Sequence, residues 1–384
     1  MGDVAEIVGG GTPSTKKSEY WNGNINWFSP AEIGNQIFVS HSQKQITELG
    51  LLKSSAKMLP AGTILFTSRA GIGNTAILTR NACTNQGFQS IVPNSHKLDS
   101  YFIYSESAKL KRYGETMGSG STFTEVSGKQ MRKMPLHIPN ITEQAKIGNM
   151  IKILDQTITL HEEKRQQLER LKSALSQKIF ADKSGYPAVR FEGFGGKWDQ
   201  CMLGNVGTFR GGFGFPENEQ GNIDGIAFYK VSDMNDSCNT LTMRKASNYV
   251  TSSQISKNKW KPILNQNIIF AKVGAAVYLE RKRKAMGPFL LDNNMMAFQP
   301  KDADIDYIYY VFQRLRISKH AQVGTLPSLN ASELRNITIY IPSLNEQKAV
   351  ADLMVSLDHT IILYDFKLEL LKKLKSSLLQ NMFI

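Results

Sequence analysis

The sequence predicts a mixed α/β protein in which two related globular domains are joined by two long helices, arranged as an internal pseudo-two-fold repeat. The segment from Ile138 to Phe180 recurs without a gap 203 residues later, from Ile341 to Phe383, and 17 of the 43 positions are identical. Two unrelated segments of this length would share only a few identical positions by chance. The period is also far longer than that of a solenoid repeat, so it indicates a duplicated domain together with a duplicated helix.

The two globular domains are predicted at residues 1–139 and 200–341. Each combines short β-rich runs, surrounded by glycines, with a helical stretch, at 62–67 and 100–113 in the first domain and at 267–271 and 306–318 in the second. Residues 183–199 are predicted to form a linker rich in Gly, Lys and Pro. Within it, residues 187–194 have no counterpart ahead of Met1, so we expect the first copy of the repeat to start late.

The two long helices are predicted at residues 140–182 and 342–384. Pro139 and Pro342 mark the boundary before each start, and a glutamate follows in the first turn, where the helix dipole favours a carboxylate. Apolar residues then recur at alternating steps of four and three, which is the spacing of a coiled-coil seam. The seam of the first helix is interrupted by three polar residues, and that of the second is cleaner.

Packing the two helices against each other as a coiled coil is the simplest way to bury both seams. Each helix of roughly 38 residues would be about 57 Å long, and neither would be stable alone. We predict an antiparallel pair, because the chain must traverse a whole globular domain between the end of the first helix and the start of the second. This packing would place the two domains at opposite ends of the pair.

Composition favours a polyanionic partner. The formal net charge is +13 and the isoelectric point is about 9.4. Many nucleic-acid-binding proteins are similarly basic. A net positive charge alone also fits a protein without such a partner. The three cysteines are widely spaced and show no zinc or disulfide pattern. With no signal sequence and no apolar stretch of membrane-spanning length, these features predict a cytoplasmic protein.

Signatures of catalysis are absent from the sequence. It contains no P-loop, no His-Glu-x-x-His zinc motif, no Gly-x-Ser-x-Gly elbow and no tetrapeptide typical of amino-methyltransferases. The glycine runs that begin at Gly9 and Gly211 are not followed by a convincing helix, so we interpret them as turns rather than phosphate loops. His161 falls on the helix seam and is interpreted as a packing residue. The sequence therefore predicts no catalytic residues and no metal site.

Basic and polar residues at turn-like positions, interleaved with aromatic residues, are the candidates for contact with DNA. In the first domain they follow or end predicted strands, and comprise Lys16, Lys17, Ser68, Arg69, Asn85, Gln86 and Thr122. In the second domain they comprise Lys230, Lys272, Arg281, Lys282, Arg283, Lys284 and Asn293. The run of four bases at 281–284 also fits a solvated face or turn with no ligand.

The helices and the globular domains differ in how closely their two copies match. The helices share their apolar skeleton almost letter for letter, whereas the domains match only in short islands, such as Gly2-Asp3-Val4 with Gly204-Asn205-Val206. Two domains that only supported the fold should resemble each other as closely as the helices do. Divergent surfaces on a shared frame predict two different ligands.

The sequence resembles the specificity subunit of type I restriction-modification systems, over essentially the whole chain. The most specific element is Ile-Pro-x-x-x-Glu-Gln, which occurs at Ile138 and again at Ile341. Further resemblance lies in the opening of the first domain and in three later segments: Gly9-Gly10-Gly11-Thr12-Pro13-Ser14 with Tyr20-Trp21 and Trp27, Leu59-Pro60-Ala61-Gly62-Thr63-Ile64-Leu65, Ser68-Arg69 and Asn85-Gln86-Gly87-Phe88.

The resemblance implies a non-catalytic subunit whose two target recognition domains each read half of a bipartite DNA target. It implies that the helices set the gap between the halves and dock two modification subunits, through positions that include Leu154, Ile158, Leu171, Leu357, Ile361 and Leu374. S-adenosylmethionine, and ATP with Mg, would then belong to the modification and restriction subunits and not to this chain. An enzyme in its own right, and a scaffold that binds proteins or RNA, are the alternatives.

Overall fold

A computed structural model describes residues 1–34, 36–69, 71–118, 125–322 and 326–382. The chain divides into two compact units. Unit 1 comprises Met1–Glu163 and Asp365–Ile384, and unit 2 comprises Lys164–Tyr364. Each unit therefore contains one globular domain and part of each long helix.

The described residues of unit 1 form two sheets. The larger has the strand order β1-β8-β5-β6-β3 and the smaller β4-β2-β7. Their strands are β1 Ala5–Gly9, β2 Trp21–Phe28, β3 Phe38–Val39, β4 Lys44–Ile46, β5 Ile64–Phe66, β6 Thr75–Leu78, β7 Cys83–Thr84 and β8 Gln89–Pro93. The helices are α1 Glu48–Leu52, α2 Ser100–Ser105, α3 Ser107–Met117, α4 Gly128–Arg132 and the long α5, Ile141–Lys178.

Unit 2 repeats this design with the orders β10-β17-β14-β15-β12 and β13-β11-β16, and adds the pair β20-β9 and the short pair β18-β19. Its strands are β9 Asp199–Met202, β10 Gly207–Gly211, β11 Ile226–Tyr229, β12 Thr242–Met243, β13 Tyr249–Val250, β14 Asn267–Ala271, β15 Lys282–Ala285, β16 Phe289–Leu291, β17 Met295–Pro300, β18 Ala321–Gln322, β19 Ser328–Leu329 and β20 Thr338–Ile341. Its helices are α6 Ser252–Asn258, α7 Ile305–Arg314, α8 Ala331–Arg335 and the long α9, Leu344–Met382.

The helix that follows the larger sheet begins in the same way in both units. Asp99 caps α2 by accepting a hydrogen bond from the Phe102 amide at 2.8 Å, and Asp304 caps α7 by accepting one from the Tyr307 amide at 2.8 Å. Both helices bury aromatic side chains against the sheet. The stretch predicted at 100–113 is two helices, because the backbone at Glu106 departs from helical geometry. The stretch predicted at 306–318 ends as an α-helix at Arg314.

The long helices pack with opposite chain directions inside each unit. In unit 1 the N-terminal half of α5 meets the C-terminal half of α9, where Leu154 and Ile158 pack against Leu368. In unit 2 the C-terminal half of α5 joins the core that includes the N-terminal half of α9, through Leu168 and Leu175. The predicted antiparallel direction is observed, and Leu154, Ile158 and Leu368 of the predicted seam are buried between the two helices. None of the helices in the described part of the chain is long and apolar enough to cross a membrane.

A buried carboxylate cross-links the helices in each unit, at positions related by the repeat. Asp155 on α5 pairs with Lys375 on α9 at 2.5 Å, and Asp358 on α9 pairs with Lys172 on α5. Each carboxylate is 6% exposed and also accepts a hydrogen bond from a tyrosine hydroxyl. The two sites therefore join α5, α9 and a globular domain through one polar cluster each.

The tyrosine hydroxyls come from the helix packed on the larger sheet. Tyr101 donates to Asp155 at 2.9 Å, and Tyr310 donates to Asp358 at 2.6 Å. Burial, and secondarily the neighbouring carboxylate, raises the pKa of both hydroxyls well above its ordinary value, so both stay protonated donors. The two tyrosines occupy different turns of their helices, so sequence alignment of the repeat does not pair them.

Candidate nucleic-acid interface

Four chain segments of unit 1 meet at the ends of β1, β2, β5 and β7. The Ser68 amide donates to the Gly87 carbonyl at 2.8 Å, the Asn85 amide donates to the Phe28 carbonyl at 3.0 Å, and the Gly11 amide donates to the Thr84 carbonyl at 2.8 Å. These bonds bring two of the segments predicted to contact DNA, 68–69 and 85–86, to one place. We call this meeting point the unit 1 loop junction.

The glycines after β1 are required by close packing. A Cβ at Gly10 would lie 1.9 Å from the Asn85 carbonyl oxygen, which no side chain tolerates. The same holds in unit 2, where a Cβ at Gly212 would lie 2.0 Å from the Asp292 carbonyl oxygen. Neither glycine run leads into an α-helix, so they lack the helix N-terminus of a phosphate loop. Gly9 ends β1 and Gly211 ends β10, and the residues that follow form an irregular segment rather than the predicted turn.

Polar side chains surround the unit 1 loop junction. The Arg69 side chain is 36% exposed and lies 4.0 Å from Glu125. The Asn85 Oδ1 accepts from the Gly87 amide at 2.8 Å, and the exposed Gln86 accepts from the Thr12 hydroxyl. An open depression of about 530 Å³ lies here, lined by Pro30, Ala31, Ile33, Arg69, Asn74, Asn85 and Gly87. Asn74 was not among the predicted contact residues, because nothing in its local pattern separates it from other loop asparagines.

Two tryptophans hold the loop that carries Lys16 and Lys17. The Trp27 indole donates to the Gly11 carbonyl at 2.8 Å, and the Trp21 indole donates to the Ser14 carbonyl at 3.1 Å. Both lysines are exposed, and the Lys17 Nζ lies 5.2 Å from the centroid of the Tyr20 ring. The exposed cations therefore extend from a loop whose backbone is fixed to β2.

Unit 2 has an equivalent loop junction with different side chains. The Lys272 amide donates to the Asn294 carbonyl at 2.7 Å, the Asp292 amide to the Tyr229 carbonyl at 2.9 Å, and the Phe213 amide to the Leu291 carbonyl at 2.7 Å. Lys272 thus occupies the place of Ser68. The exposed Asn293 occupies the place of Gln86.

Lys230 also lies at the unit 2 loop junction, directly after Tyr229 at the end of β11. Its Nζ donates to the Gln220 side chain at 3.0 Å, which holds the ammonium beside the loop after β10. Lys230 and Lys272 are both half-buried. Three of the residues predicted for the second domain, Lys230, Lys272 and Asn293, are therefore brought to one place.

The prediction that Ser68 and Lys282 contact DNA is corrected, because both side chains are buried. Ser68 is 0% exposed, and its hydroxyl has no hydrogen-bond partner among the described residues. Lys282 is 1% exposed, pairs with Glu280 and donates to the Leu315 carbonyl at 2.9 Å. Desolvation lowers the pKa of Lys282, although Glu280 opposes the shift. Neither side chain is accessible to DNA in this structure.

The run of four bases at 281–284 is not the solvated turn that its composition suggested. Three of the four residues lie in β15, which pairs with β14 and β12. Arg283 donates to the Asn239 carbonyl at 2.6 Å, Lys284 pairs with Asp306, and Arg281 donates to the Asn235 side chain. These cations hold the strand to its neighbours, so the prediction that they form a basic patch for DNA is corrected.

The remaining predicted positions fall into two groups. Thr122 lies outside the described residues. Among the predicted spacer positions, four are buried, namely Leu154, Ile158, Leu357 and Ile361. Leu171 and Leu374, related by the repeat, are 47% and 50% exposed.

The described residues contain no group of three or more His, Cys, Asp or Glu side chains able to hold a metal ion.

A family model described as the type I restriction modification DNA specificity domain matches residues 1–170 and 196–373. The chain belongs to this family. The two matched segments cover both loop junctions and most of both long helices, so the duplication seen in the sequence corresponds to two copies of the family domain. The family description is one of DNA specificity, which is the non-catalytic role that the sequence predicted.

Specificity subunits are also among the most similar curated proteins. The MjaIX specificity subunit of Methanocaldococcus jannaschii is 27% identical over 99% of this chain and 90% of its own length. The EcoR124I/EcoR124II specificity subunit of Escherichia coli is 32% identical over 42% of this chain and 40% of its own length. Both are named as subunits of type I restriction enzymes.

A solved structure shares the fold. The type I restriction-modification S subunit of M. genitalium aligns with a TM-score of 0.62 at 14% identity, covering 100% of this chain and 94% of that one. At this level of identity the match bears on architecture alone. It agrees with the predicted fold class of mixed α/β domains combined with long helices.

Proposed function

We propose that this chain is the DNA-reading, non-catalytic subunit of a type I restriction-modification complex, and that each loop junction reads one half of a bipartite, gapped target. The observation that carries the proposal is the pair of loop junctions. They share one set of backbone hydrogen bonds but present different side chains, Gln86 in unit 1 and Asn293 in unit 2. A common frame with different polar groups is what two different base sequences require.

The side chains at the junctions have the chemistry of base and phosphate contact. Arginine forms bidentate hydrogen bonds with guanine, and asparagine or glutamine with adenine, in the major groove. Arg69, Asn85 and Gln86 supply these groups in unit 1, and Asn293 in unit 2. Lysines position the protein on phosphates without reading sequence, which suits Lys16, Lys17, Lys230 and Lys272. The corrected residues Ser68, Arg281, Lys282, Arg283 and Lys284 have no part in the proposal.

The net charge of +13 supports binding to a duplex. If six or more phosphates are neutralised, affinity falls by roughly three to five orders of magnitude between 50 and 200 mM salt. A scaffold for proteins would not show this response. Competition by random duplexes separates sequence-specific binding from non-specific binding, and RNA competitors test the remaining alternative.

The long helices set the gap between the half-sites and dock two modification subunits. Exposed apolar side chains recur every four residues on α9 at Phe366, Leu370 and Leu374, which are 57%, 49% and 50% exposed. Leu171, the repeat counterpart of Leu374, offers an exposed apolar side chain on α5. Such residues are typical of helix surfaces that bind partners.

Catalysis belongs to the partner subunits in this proposal. S-adenosylmethionine binds the modification subunits, ATP with Mg binds the restriction subunits, and this chain needs no cofactor for the role described. The complex works on DNA in the cytoplasm, where the three free cysteines stay reduced. Methyl transfer by the purified chain alone would instead support an enzyme.

Exchange of one domain tests the proposal most directly. Residues 1–139 are replaced by the corresponding domain of another family member, the chimera is expressed with the modification subunits, and methylated adenines are mapped across the host genome. We expect one half of the target to change while the other half and the gap stay the same. A change in both halves, or methylation without sequence preference, would contradict two separate readers.

A further inference from the structure

The connection that follows β14 in unit 2 is longer than its counterpart in unit 1. In unit 1 residues 67–74 connect β5 to β6, and in unit 2 residues 272–281 connect β14 to β15, so the unit 2 connection has two more residues. We call residues 272–281 the β14–β15 loop. It begins at Lys272, which lies at the unit 2 loop junction. The loop therefore extends from the place where we propose that unit 2 reads DNA.

The β14–β15 loop is held by contacts along its length. Near its start, the Gly274 amide donates to the Pro327 carbonyl at 2.9 Å. In its middle, Val277 is 2% exposed and belongs to the larger core of unit 2. Near its end, the Glu280 carboxylate accepts from the Ser318 amide at 2.9 Å. The side chains that this loop exposes are therefore held in defined positions.

Two consecutive apolar side chains of the loop are exposed to solvent. Tyr278 is 58% exposed and Leu279 is 57% exposed, although Val277 beside them is buried. The equivalent connection in unit 1, described at 67–69 and 71–74, exposes no large apolar side chain there, and its Ile72 is 8% exposed. Adjacent apolar side chains that a structured loop exposes are typical of a surface that a ligand covers.

The charges around this apolar pair favour a nucleic acid as its ligand. The loop begins beside Lys230 and Lys272, which the proposed function assigns to phosphates. The single carboxylate in the sequence of the loop, that of Glu280, pairs with Lys282, which weakens its repulsion of a phosphate. Duplex DNA combines phosphates, which attract cations, with stacked bases, between which apolar side chains insert in many complexes.

We propose that Tyr278 and Leu279 form an apolar wedge that inserts between two adjacent base pairs of the half-site read by unit 2. Leu279 enters the opened base step, the Tyr278 ring stacks on the base that is uncovered, and Lys272 contacts a neighbouring phosphate. The described residues of the equivalent loop in unit 1 offer no such pair, so unit 1 reads its half-site without this deformation. The inference rests on the proposed function, because it adds a contact with the same DNA.

The wedge adds sequence preference without a hydrogen bond to a base. Pyrimidine–purine steps such as TA and CA unstack more easily than other steps, so insertion costs least free energy there. The half-site read by unit 2 should therefore contain or adjoin a step of this kind.

A DNA duplex that contains the fluorescent base 2-aminopurine tests the wedge. The duplex carries the target mapped by adenine methylation, and 2-aminopurine replaces one base at a time in both halves and beside them. The half that stays unchanged when residues 1–139 are exchanged belongs to unit 2. Emission from 2-aminopurine rises when its neighbours unstack. On binding of the full chain with its modification subunits, we expect a rise that depends on the wedge at one base step on the unit 2 side and at none on the unit 1 side.

Variants of the wedge should remove this signal. Tyr278→Ala with Leu279→Ala should abolish the rise in emission and weaken binding of the mapped target about tenfold, as expected for loss of one stacking contact. Tyr278→Phe retains the ring and should retain both signals. The matched control is Leu264→Ala with Met286→Ala, which removes two side chains that are 73% and 57% exposed near the opposite end of β14. This control should change neither signal.

A mismatch at the affected base step separates insertion from contact with the surface of the duplex. The mismatch removes part of the cost of unstacking, so the wild-type chain should gain affinity relative to the double alanine variant. Specific binding with no rise that depends on the wedge, or equal affinities of the wild-type chain and the variant, overturns the wedge and leaves the proposed function intact. Absence of sequence-specific binding by the wild-type chain overturns both. Normal DNA binding by the variant with loss of the modification subunits would show that the pair docks a protein, which also overturns the wedge.

Discussion

The two units have the same polar contacts between their long helices but different side chains at their loop junctions. Asp155 and Asp358 each hold a lysine of the opposite helix and a tyrosine of the neighbouring domain. At the junctions, equivalent backbone bonds present Gln86 in one unit and Asn293 in the other. Helix packing imposes the same physical requirement twice, because a seam must be apolar and a buried carboxylate must be paired. A surface that reads a ligand has no such requirement, so its side chains differ.

The largest expected effect comes from breaking the common helical frame. Replacing Leu154 and Leu357 together with Asp puts a charge into the seam in each unit, where the leucines are 8% and 9% exposed. Burying an unpaired charge costs several kcal/mol at each site, against a total stability of about 5–15 kcal/mol for a typical domain. Urea denaturation followed by circular dichroism should show loss of the cooperative transition.

The matched control is Leu171→Asp with Leu374→Asp, the same substitution at exposed, repeat-related positions of the same helices. Stability should change by less than about 1 kcal/mol there. Equal losses in the two double variants would mean that the seam is not where the helices are stabilised. If Leu171 and Leu374 dock modification subunits, this control should still bind DNA but lose assembly with those subunits.

A second prediction tests whether the buried carboxylates are equivalent. Asp155→Asn and Asp358→Asn should each lower the free energy of unfolding by about 2 kcal/mol. This loss is smaller than the roughly 3–5 kcal/mol that breaking a fully buried ion pair costs, because the partner lysines are 30% and 29% exposed. Double-mutant cycles with Lys375→Met and Lys172→Met measure each pairing separately. A coupling energy present in one unit and absent in the other would break the symmetry of the frame.

A third prediction separates the two roles assigned to basic residues. Arg69→Ala and Lys272→Ala should each weaken specific DNA binding about tenfold, with little change in melting temperature. Lys284→Ala should instead lower the melting temperature, because it removes the ion pair with Asp306. Binding titrations and thermal melts of the three variants provide the measurement. A larger binding loss for Lys284→Ala than for Lys272→Ala would reverse the assignment made from burial.

The smallest effect concerns thiol reactivity. Cys83 in β7 lies one residue before the unit 1 loop junction and is 0% exposed, and burial raises its pKa to about 11. Cys238 in unit 2 is exposed. At pH 8 a maleimide should label Cys238 quickly and Cys83 only when unit 1 opens, since the thiolate is the reactive form. Rapid labelling of Cys83 in the native chain would show that the unit 1 junction opens more easily than its packing suggests.

Much of the architecture was predictable because it depends on patterns along the chain. The repeat at Ile138 and Ile341, the prolines before each long helix and the apolar seam all lie within short windows of sequence. They correctly predicted two long helices that pack with opposite directions. The glycine runs were predicted to be turns, but they end strands where a neighbouring carbonyl group approaches closely. The break at Glu106 was missed, because a single residue leaving helical geometry has no periodic signature.

The candidate site was predicted only in part. Asn85 with Gln86, and Lys272 with Asn293, were selected because polar residues at strand ends are often exposed, and the structure brings them to equivalent junctions. Ser68 shares that pattern but is buried beneath the loop at Gly87. Whether a side chain after a strand points outward depends on the segment that crosses it, and sequence spacing does not contain that information.

The sequence by itself determined the duplication, the helices and their seam, since periodicity and capping are local properties of the chain. Only the tertiary structure decided which cations are available. Lys282 and Lys284 look like a surface patch in the sequence, yet Lys282 donates to the Leu315 carbonyl and Lys284 pairs with Asp306, and both partners lie on other segments brought close by folding. It also decided that Glu346 is covered by Arg190 while Glu143 is exposed. Burial and ion pairing join residues far apart in the chain, so the free charges of a protein are known only after it has folded.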